Sequence, residues 1–164
     1  MSEPKKPNMD PKDVHLVIDG VENTAKLFAY NGQLIRTVPC LPHGVSGPRW
    51  DIPDGDTPPG LYLAGNCEPT LSTDPWKIHC EYGPMFIYLI EEEGQESKVD
   101  RAGCGLHGGG SGLADPMASV QELLPTLGCV RFHNQDILRL ENTVKWVKST
   151  GGRVWITVVQ KEIA

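Results

Sequence analysis

The chain has no run of about 18 consecutive apolar residues, which excludes a membrane-spanning helix and membrane insertion. Basic charge is in deficit as well: 15 Lys and Arg stand against 21 Asp and Glu, a formal net charge of −6. A phosphate-binding face needs clustered cations, so nucleic acid is excluded as a partner. No internal repeat, low-complexity block or linker divides the 164 residues, which leaves one domain. Residues 1–13 hold three Pro and three Lys and lack an apolar core. That excludes a signal peptide and predicts a disordered leader before a domain over residues 14–164. Synthesis in the cytoplasm, outside the ordinary export route, is the expectation that follows. Cysteine is sparse and odd in number: Cys40, Cys67, Cys80, Cys104 and Cys129. At least one thiol is therefore free in a monomer, and without a signal peptide all five are expected to be reduced. Cys40, Cys67 and Cys80 read as small packing hydrophobes.

What is present points to strands and turns. The chain holds 18 Gly and 14 Pro, which suits a β-rich protein better than a helical bundle. Residues 14–18 are β-branched and alternate, so they predict a strand. Residues 24–30 and 33–40 flank Asn31-Gly32, the strongest short hairpin signal. A Pro/Gly/Asp-rich loop over 41–59 carries Trp50. Short strands are expected over 60–64 and 76–80, after turn-rich residues 68–75. Residues 85–90 form a continuous apolar run and predict a buried strand. An exposed turn over 91–97 and a returning strand over 97–106 follow. Asp115-Pro116 resembles a helix start, which predicts a helix to Leu124, stopped by Pro125. Ile137, Leu138, Leu140, Val144 and Val147 have helical spacing, and Gly151-Gly152 ends that helix. Residues 153–159 read as a last strand. The fold class is mainly β, a β-rich α+β sandwich or barrel with one or two helices.

Two glycine-flanked residues carry the chemistry. Cys129 sits in Thr126-Leu127-Gly128-Cys129-Val130-Arg131, and His107 lies upstream in a glycine-rich segment. A free thiol is mostly protonated at neutral pH and needs a base to become a nucleophile. Histidine is the usual base. Flanking glycines let a substrate approach the backbone, whose N–H groups then hold an oxyanion. In this reading Cys129 is the nucleophile, His107 takes its proton or holds it as an ion pair, and the amides of Gly128 and Cys129 form the oxyanion hole. Arg131 offers a planar fork to a substrate carboxylate. Thr126 donates a hydrogen bond at the rim, and a carbonyl near Gly108 orients the imidazole. No cofactor or metal is needed. Asn134 reads as the cap of the helix that follows it. His15, His43 and His79 read as structural or exposed.

Gly-Leu-His107-Gly108-Gly109 followed by Thr126-Leu-Gly-Cys129-Val-Arg131 resembles the L,D-transpeptidase (YkuD-like) family. Asp56-Thr57-Pro58-Pro59-Gly60-Leu61-Tyr62 is similar to that family's Thr-Pro-x-Gly-x-aromatic segment, and a hairpin ends in Val38-Pro39. The resemblance covers roughly residues 14–159. It implies a peptidoglycan stem peptide as substrate. Cys129 attacks the carbonyl before a terminal D-residue, and an acyl-enzyme passes to an amine of a second stem. Water in that place makes an L,D-carboxypeptidase, and a free D-amino acid makes an exchange enzyme. Two departures stand out. Leu127 occupies the place of the family's second His, and the longer spacing from His107 to Thr126 implies an enlarged loop over the site, residues 111–125. The resemblance also implies action in the periplasm or cell wall, after non-classical export or lysis. An antibacterial effector fits that setting, with a secretion apparatus and an immunity protein as partners, and so does a phage product.

Two readings of other classes compete. Cys104-x-x-His107 with Cys129-x-x-x-His133 forms a two-Cys, two-His set for a structural zinc ion. The 21 residues between His107 and Cys129 exceed the spacing of a compact finger. A catalytically dead module that binds wall peptide is the other, with Leu127 as its main support.

Overall fold

Eight strands close into a barrel in the order β1-β2-β3-β7-β6-β5-β4-β8 in a computed structural model that describes residues 5–70 and 76–163. The strands are β1 (Val14–Asp19), β2 (Thr24–Ala29), β3 (Leu34–Leu41), β4 (Gly60–Pro69), β5 (Met85–Gly94), β6 (Gly105–His107), β7 (Val130–Phe132) and β8 (Val154–Val159). Two helices, α1 (Trp76–Tyr82) and α2 (Asn134–Ser149), complete it. The β-rich class expected from composition is therefore what is observed. β8 runs parallel to β1 and antiparallel to β4, which joins the two ends of the chain's pairing order. All six residues of β8 are buried, as a strand between two neighbours requires. β1 alternates, with Leu16 and Ile18 inward. Between β2 and β3, Gly32 adopts φ +85° and the Asn31 side chain accepts the Gln33 N–H at 3.0 Å, as the Asn-Gly pair requires. Inward strand residues join Ile137, Leu140, Val144 and Val147 of α2 in one core cluster. All five cysteines are free thiols. No helix among the described residues is long and apolar enough to cross a membrane.

Several expectations need correction. Residues 76–80 are helical, not a strand: α1 is closed by Gly83 at φ +67°, whose N–H donates to His79 O. Pro75 before it and Gly83 after it are the start and stop signals that a short apolar run hid. The turn-rich reading of 68–75 lies partly outside the described residues, and β4 extends through Pro69. Residues 91–94 continue β5 instead of turning. The turn comes over 95–104, where Asp100 and Gly103 have positive φ, and only Gly105–His107 is extended. No helix forms over residues 115–124. Its backbone is diverted to α2: Ser119 O accepts the Gln135 N–H, and Pro116 O and Ala118 O accept the Asn134 amide. Tertiary bonds thus outcompete the local helix. Of the expected leader, residues 5–13 lie against the barrel. The Thr157 hydroxyl donates to Lys5 O, and Asp13 is buried, accepting from Trp155 Nε1.

Candidate active site

The parallel pairing of β6 with β7 sets the geometry. Leu106 lies opposite Val130 and His107 opposite Arg131, so continuing the register puts Gly105 beside Cys129. Cys129 therefore lies diagonally from His107 across the parallel pair, two positions back along it, which puts both side chains on the same face. Both side chains line one cavity of about 470 Å³, with Tyr82, Glu81, Leu124 and Leu127 among its walls.

His107 is only 1% exposed. Phe86, its cross-strand partner on β5, stacks on it at 5.7 Å, and Tyr82 of α1 meets it edge-on at 4.9 Å. Its Nδ1 lies 2.7 Å from Gly108 O. A carbonyl only accepts, so Nδ1 carries the proton and Nε2 is left as the acceptor. Burial, helped by the Arg131 charge, pushes the imidazole down to about 4. It is neutral at physiological pH and free to take a proton.

Cys129 is half-buried. Burial raises its thiol to about 11, while the Gly105 backbone, Arg131 and Arg101 act in the opposite direction. The pair at rest is thiol and imidazole, not thiolate and imidazolium. Of the two ways foreseen for His107 to serve, proton transfer during attack is the one these environments favour.

The loop bearing Cys129 is internally tied. Thr126 is buried, and its Oγ1 donates to Cys129 O at 2.7 Å while accepting the Gly128 N–H at 3.0 Å. Its hydroxyl closes the turn and has no proton left for a substrate. The Gly128 amide is occupied too, so of the expected oxyanion pair only the Cys129 amide is left. Arg131 is 1% exposed, and all five of its N–H donors face protein acceptors. Nε donates to Leu124 O; Nη1 to Glu81 O and Gly108 O; Nη2 to Glu81 Oε1 and, at 3.5 Å, Pro125 O. The expected carboxylate fork is thereby an internal strut, and it grips the same Gly108 carbonyl that orients His107. Gly108 has no room for more: a Cβ would come within 2.1 Å of Asn134 Oδ1.

Asn134 is not the helix cap. His133 holds that position, without a side-chain bond, while buried Asn134 accepts the Gly109 N–H and donates to Pro116 O and Ala118 O. Gln121 completes this support: its amide donates to Gly109 O and Phe132 O and accepts the Asn134 N–H. Together they pin residues 111–125 over the site, where Ser111, Leu124 and Pro125 line the cavity. Glu81 and Tyr82 carry no sequence signal of their own and reach the cavity wall because residues 76–82 are helical. Glu81 accepts from Ser111 and Arg131; burial opposes its charge, yet those partners hold it below its usual range. Outside the cavity, His43 Nδ1 lies 2.9 Å from Asp56 Oδ2, which raises the imidazole above its ordinary value, and His43 O accepts the Thr126 N–H. Leu127 is 67% exposed at the cavity mouth, beside Val45 at 59%. Among the described residues no three His, Cys, Asp or Glu side chains converge as metal ligands, and His133 Nδ1 faces Gln121 O at 2.8 Å.

No protein-family model matches the chain, and no curated protein matches it. Solved structures do. Bd1075 of Bdellovibrio bacteriovorus is similar with a TM-score of 0.60 and 16% identity, over 96% of this chain and 50% of that one. The helical cell shape determining protein Pgp2 of Campylobacter jejuni gives 0.56 and 16%, over 92% and 48%. LD transpeptidase LdtMt1, in a complex with imipenem, gives 0.52 and 16%, over 89% and 58%. The chain spans about half the length of the first two proteins. At such identities the likeness is one of fold: this chain is built on the fold of a solved L,D-transpeptidase and of a protein that determines helical cell shape.

Proposed function

We propose that the chain is a cysteine-dependent L,D-transpeptidase acting on peptidoglycan stem peptides through an acyl-enzyme on Cys129. The observation that carries this reading is the meeting of Cys129 and a neutral, tautomer-fixed His107 at one cavity, on the same face of the parallel pair β6 and β7 and two positions apart. His107 Nε2 accepts the thiol proton as Sγ attacks the carbonyl before the terminal D-residue. The Cys129 amide faces the developing oxyanion. The C–N bond then breaks, the imidazolium returns the proton to the leaving amine, and D-alanine departs from a thioester. An amine of a second stem attacks the thioester and forms a cross-link, with Cys129 restored as thiol. L,D-carboxypeptidase and D-amino-acid exchange reactions share that thioester and differ only in the acceptor. Thr126, Gly108 and Arg131 act here by shaping the loop and orienting His107, not by touching substrate.

Polymerised stems lie outside the inner membrane, so this substrate places the activity in the periplasm or wall. Delivery by a secretion apparatus, with an immunity protein protecting the producer, is the antibacterial setting the reading implies. A second reading, a wall-peptide binding module without turnover, is favoured by Leu127, which puts an aliphatic side chain at the mouth. Product analysis separates them. Purified tetrapeptide stems incubated with the protein should yield free D-alanine with dimers, tripeptides or exchanged stems. Cys129→Ala should abolish all of these, a loss of several orders of magnitude. Binding of stems with no product from the wild type would establish the module instead.

A further inference from the structure

Arg101 lies on the turn between β5 and β6, where its backbone N–H donates to Glu96 O. Its guanidinium reaches three separate stretches of backbone. Nη1 donates to Trp50 O at 2.8 Å and Asp56 O at 2.5 Å. Nη2 donates to Gly55 O at 3.2 Å and Leu127 O at 3.5 Å. Leu127 is two residues from the thiol. The next residue, Gly128, has φ +123°, and a Cβ there would stand 2.0 Å from Arg101 Nη2. Glycine at 128 therefore does two things: it adopts a left-handed backbone and lets the guanidinium pass. Its amide serves neither purpose, since Thr126 Oγ1 accepts it.

We propose that Arg101 is a positioning residue for the nucleophile. Its planar fork ties the 126–129 loop to the 50–56 loop and keeps a fixed positive charge beside the Cys129 turn. A single cation that bridges carbonyls of two loops sets their separation, and with it the direction of the Cys129 amide and thiol. Lysine has one ammonium point and lacks the flat fork that spans several acceptors. The charge favours the thiolate over the thiol, which agrees with the direction of its influence on Cys129. The other groups facing that thiol are the His107 imidazole, Arg131 with Glu81, Tyr82 and Cys104. Glu96, buried on the same turn, faces Arg101 with Oε2 unpartnered among the described residues.

This inference rests on Cys129 as the nucleophile, but its test reads the thiol itself. The rate of Cys129 alkylation by iodoacetamide is followed against pH, with the site located by peptide mass spectrometry. Wild type, Arg101→Gln and Arg101→Lys are compared, alongside melting temperature and turnover of a tetrapeptide stem. Arg101→Gln should raise the apparent thiol pKa by about one unit, a tenfold change in ionisation. Its kcat should fall about tenfold or more with KM little changed. Arg101→Lys should restore the alkylation profile yet recover only part of kcat. An alkylation profile in Arg101→Gln that matches wild type would overturn the proposal, whatever happens to stability. So would full recovery of kcat by lysine, which would remove the role of the fork. If wild type turns over no stem peptide, the functional reading fails, and the alkylation series still decides the role of Arg101.

Discussion

At the scale of single residues, the site is a pair of neutral groups made useful by what surrounds them. His107 is buried beside the Arg131 charge, so its imidazole is a weak base that stays neutral, although the Gly108 carbonyl acts in the opposite direction. Cys129 is a weak acid because burial outweighs the cations near it. In the proposed reaction the neutral imidazole is the active form, and acid removes it by protonation. We therefore expect kcat/KM for stem peptide to be flat from about pH 6 to 8 and to fall as pH drops toward 4, the folded-state value of His107. The same sign holds for folding. A histidine held low in the fold contributes stability above its unfolded value near 6.5 and loses it progressively as pH falls toward 4. A pH–rate profile with its acid limb near 6.5 to 7 would instead mean that the imidazole titrates as a solvated histidine does, against the burial described here. That Cys129 and His107 share one cavity is what their glycine-rich segments led one to expect. The work of Arg131, Thr126 and Gly128 was not legible in the sequence, since it depends on which carbonyls and hydroxyls the fold brings around them.

At the scale of elements, the scaffold divides into parts ruled by local pattern and parts ruled by distant bonds. β1, β2, β8 and α2 have apolar positions that coincide with the burial they acquire, so each reads from its own residues. β5, expected to be buried throughout, instead alternates and leaves Tyr88 and Ile90 exposed, and β3 leaves Leu34 and Ile35 exposed. Residues 115–124 do not read from their own pattern, because their carbonyls serve the start of α2 and the Asn134 amide. α1 does not either, being shorter than the window over which a helical period shows. Asn134 joins these parts: one buried amide holds the Gly109 N–H and two carbonyls of the covering loop. Removing it leaves buried groups without partners, which costs about 3 kcal/mol. Asn134→Ala should therefore lower the melting temperature by roughly 6–12 °C in calorimetry. It should also lower kcat, because the segment that orients His107 loosens. A melting temperature within 1–2 °C of wild type would show that the loop does not depend on this amide.

At the scale of the whole molecule, the strands close into a barrel, a frame on which the short parallel pair β6 and β7 presents His107 and Cys129 to one cavity. The loops over residues 42–59, 95–104 and 111–125 then meet around the Cys129 turn, through His43, Arg101 and Arg131. The frame is shared with proteins of little sequence identity. The proposed reaction requires that Cys129 form a thioester with the acyl part of a stem peptide. Intact-protein mass spectrometry after brief incubation with a tetrapeptide stem tests it most directly. The mass should increase by that of the stem less one D-alanine, and peptide mapping should place the adduct on Cys129. Cys129→Ala should gain none. An adduct on Cys40, Cys67, Cys80 or Cys104, an adduct that persists in Cys129→Ala, or D-alanine released without any covalent intermediate trapped on Cys129 would contradict it.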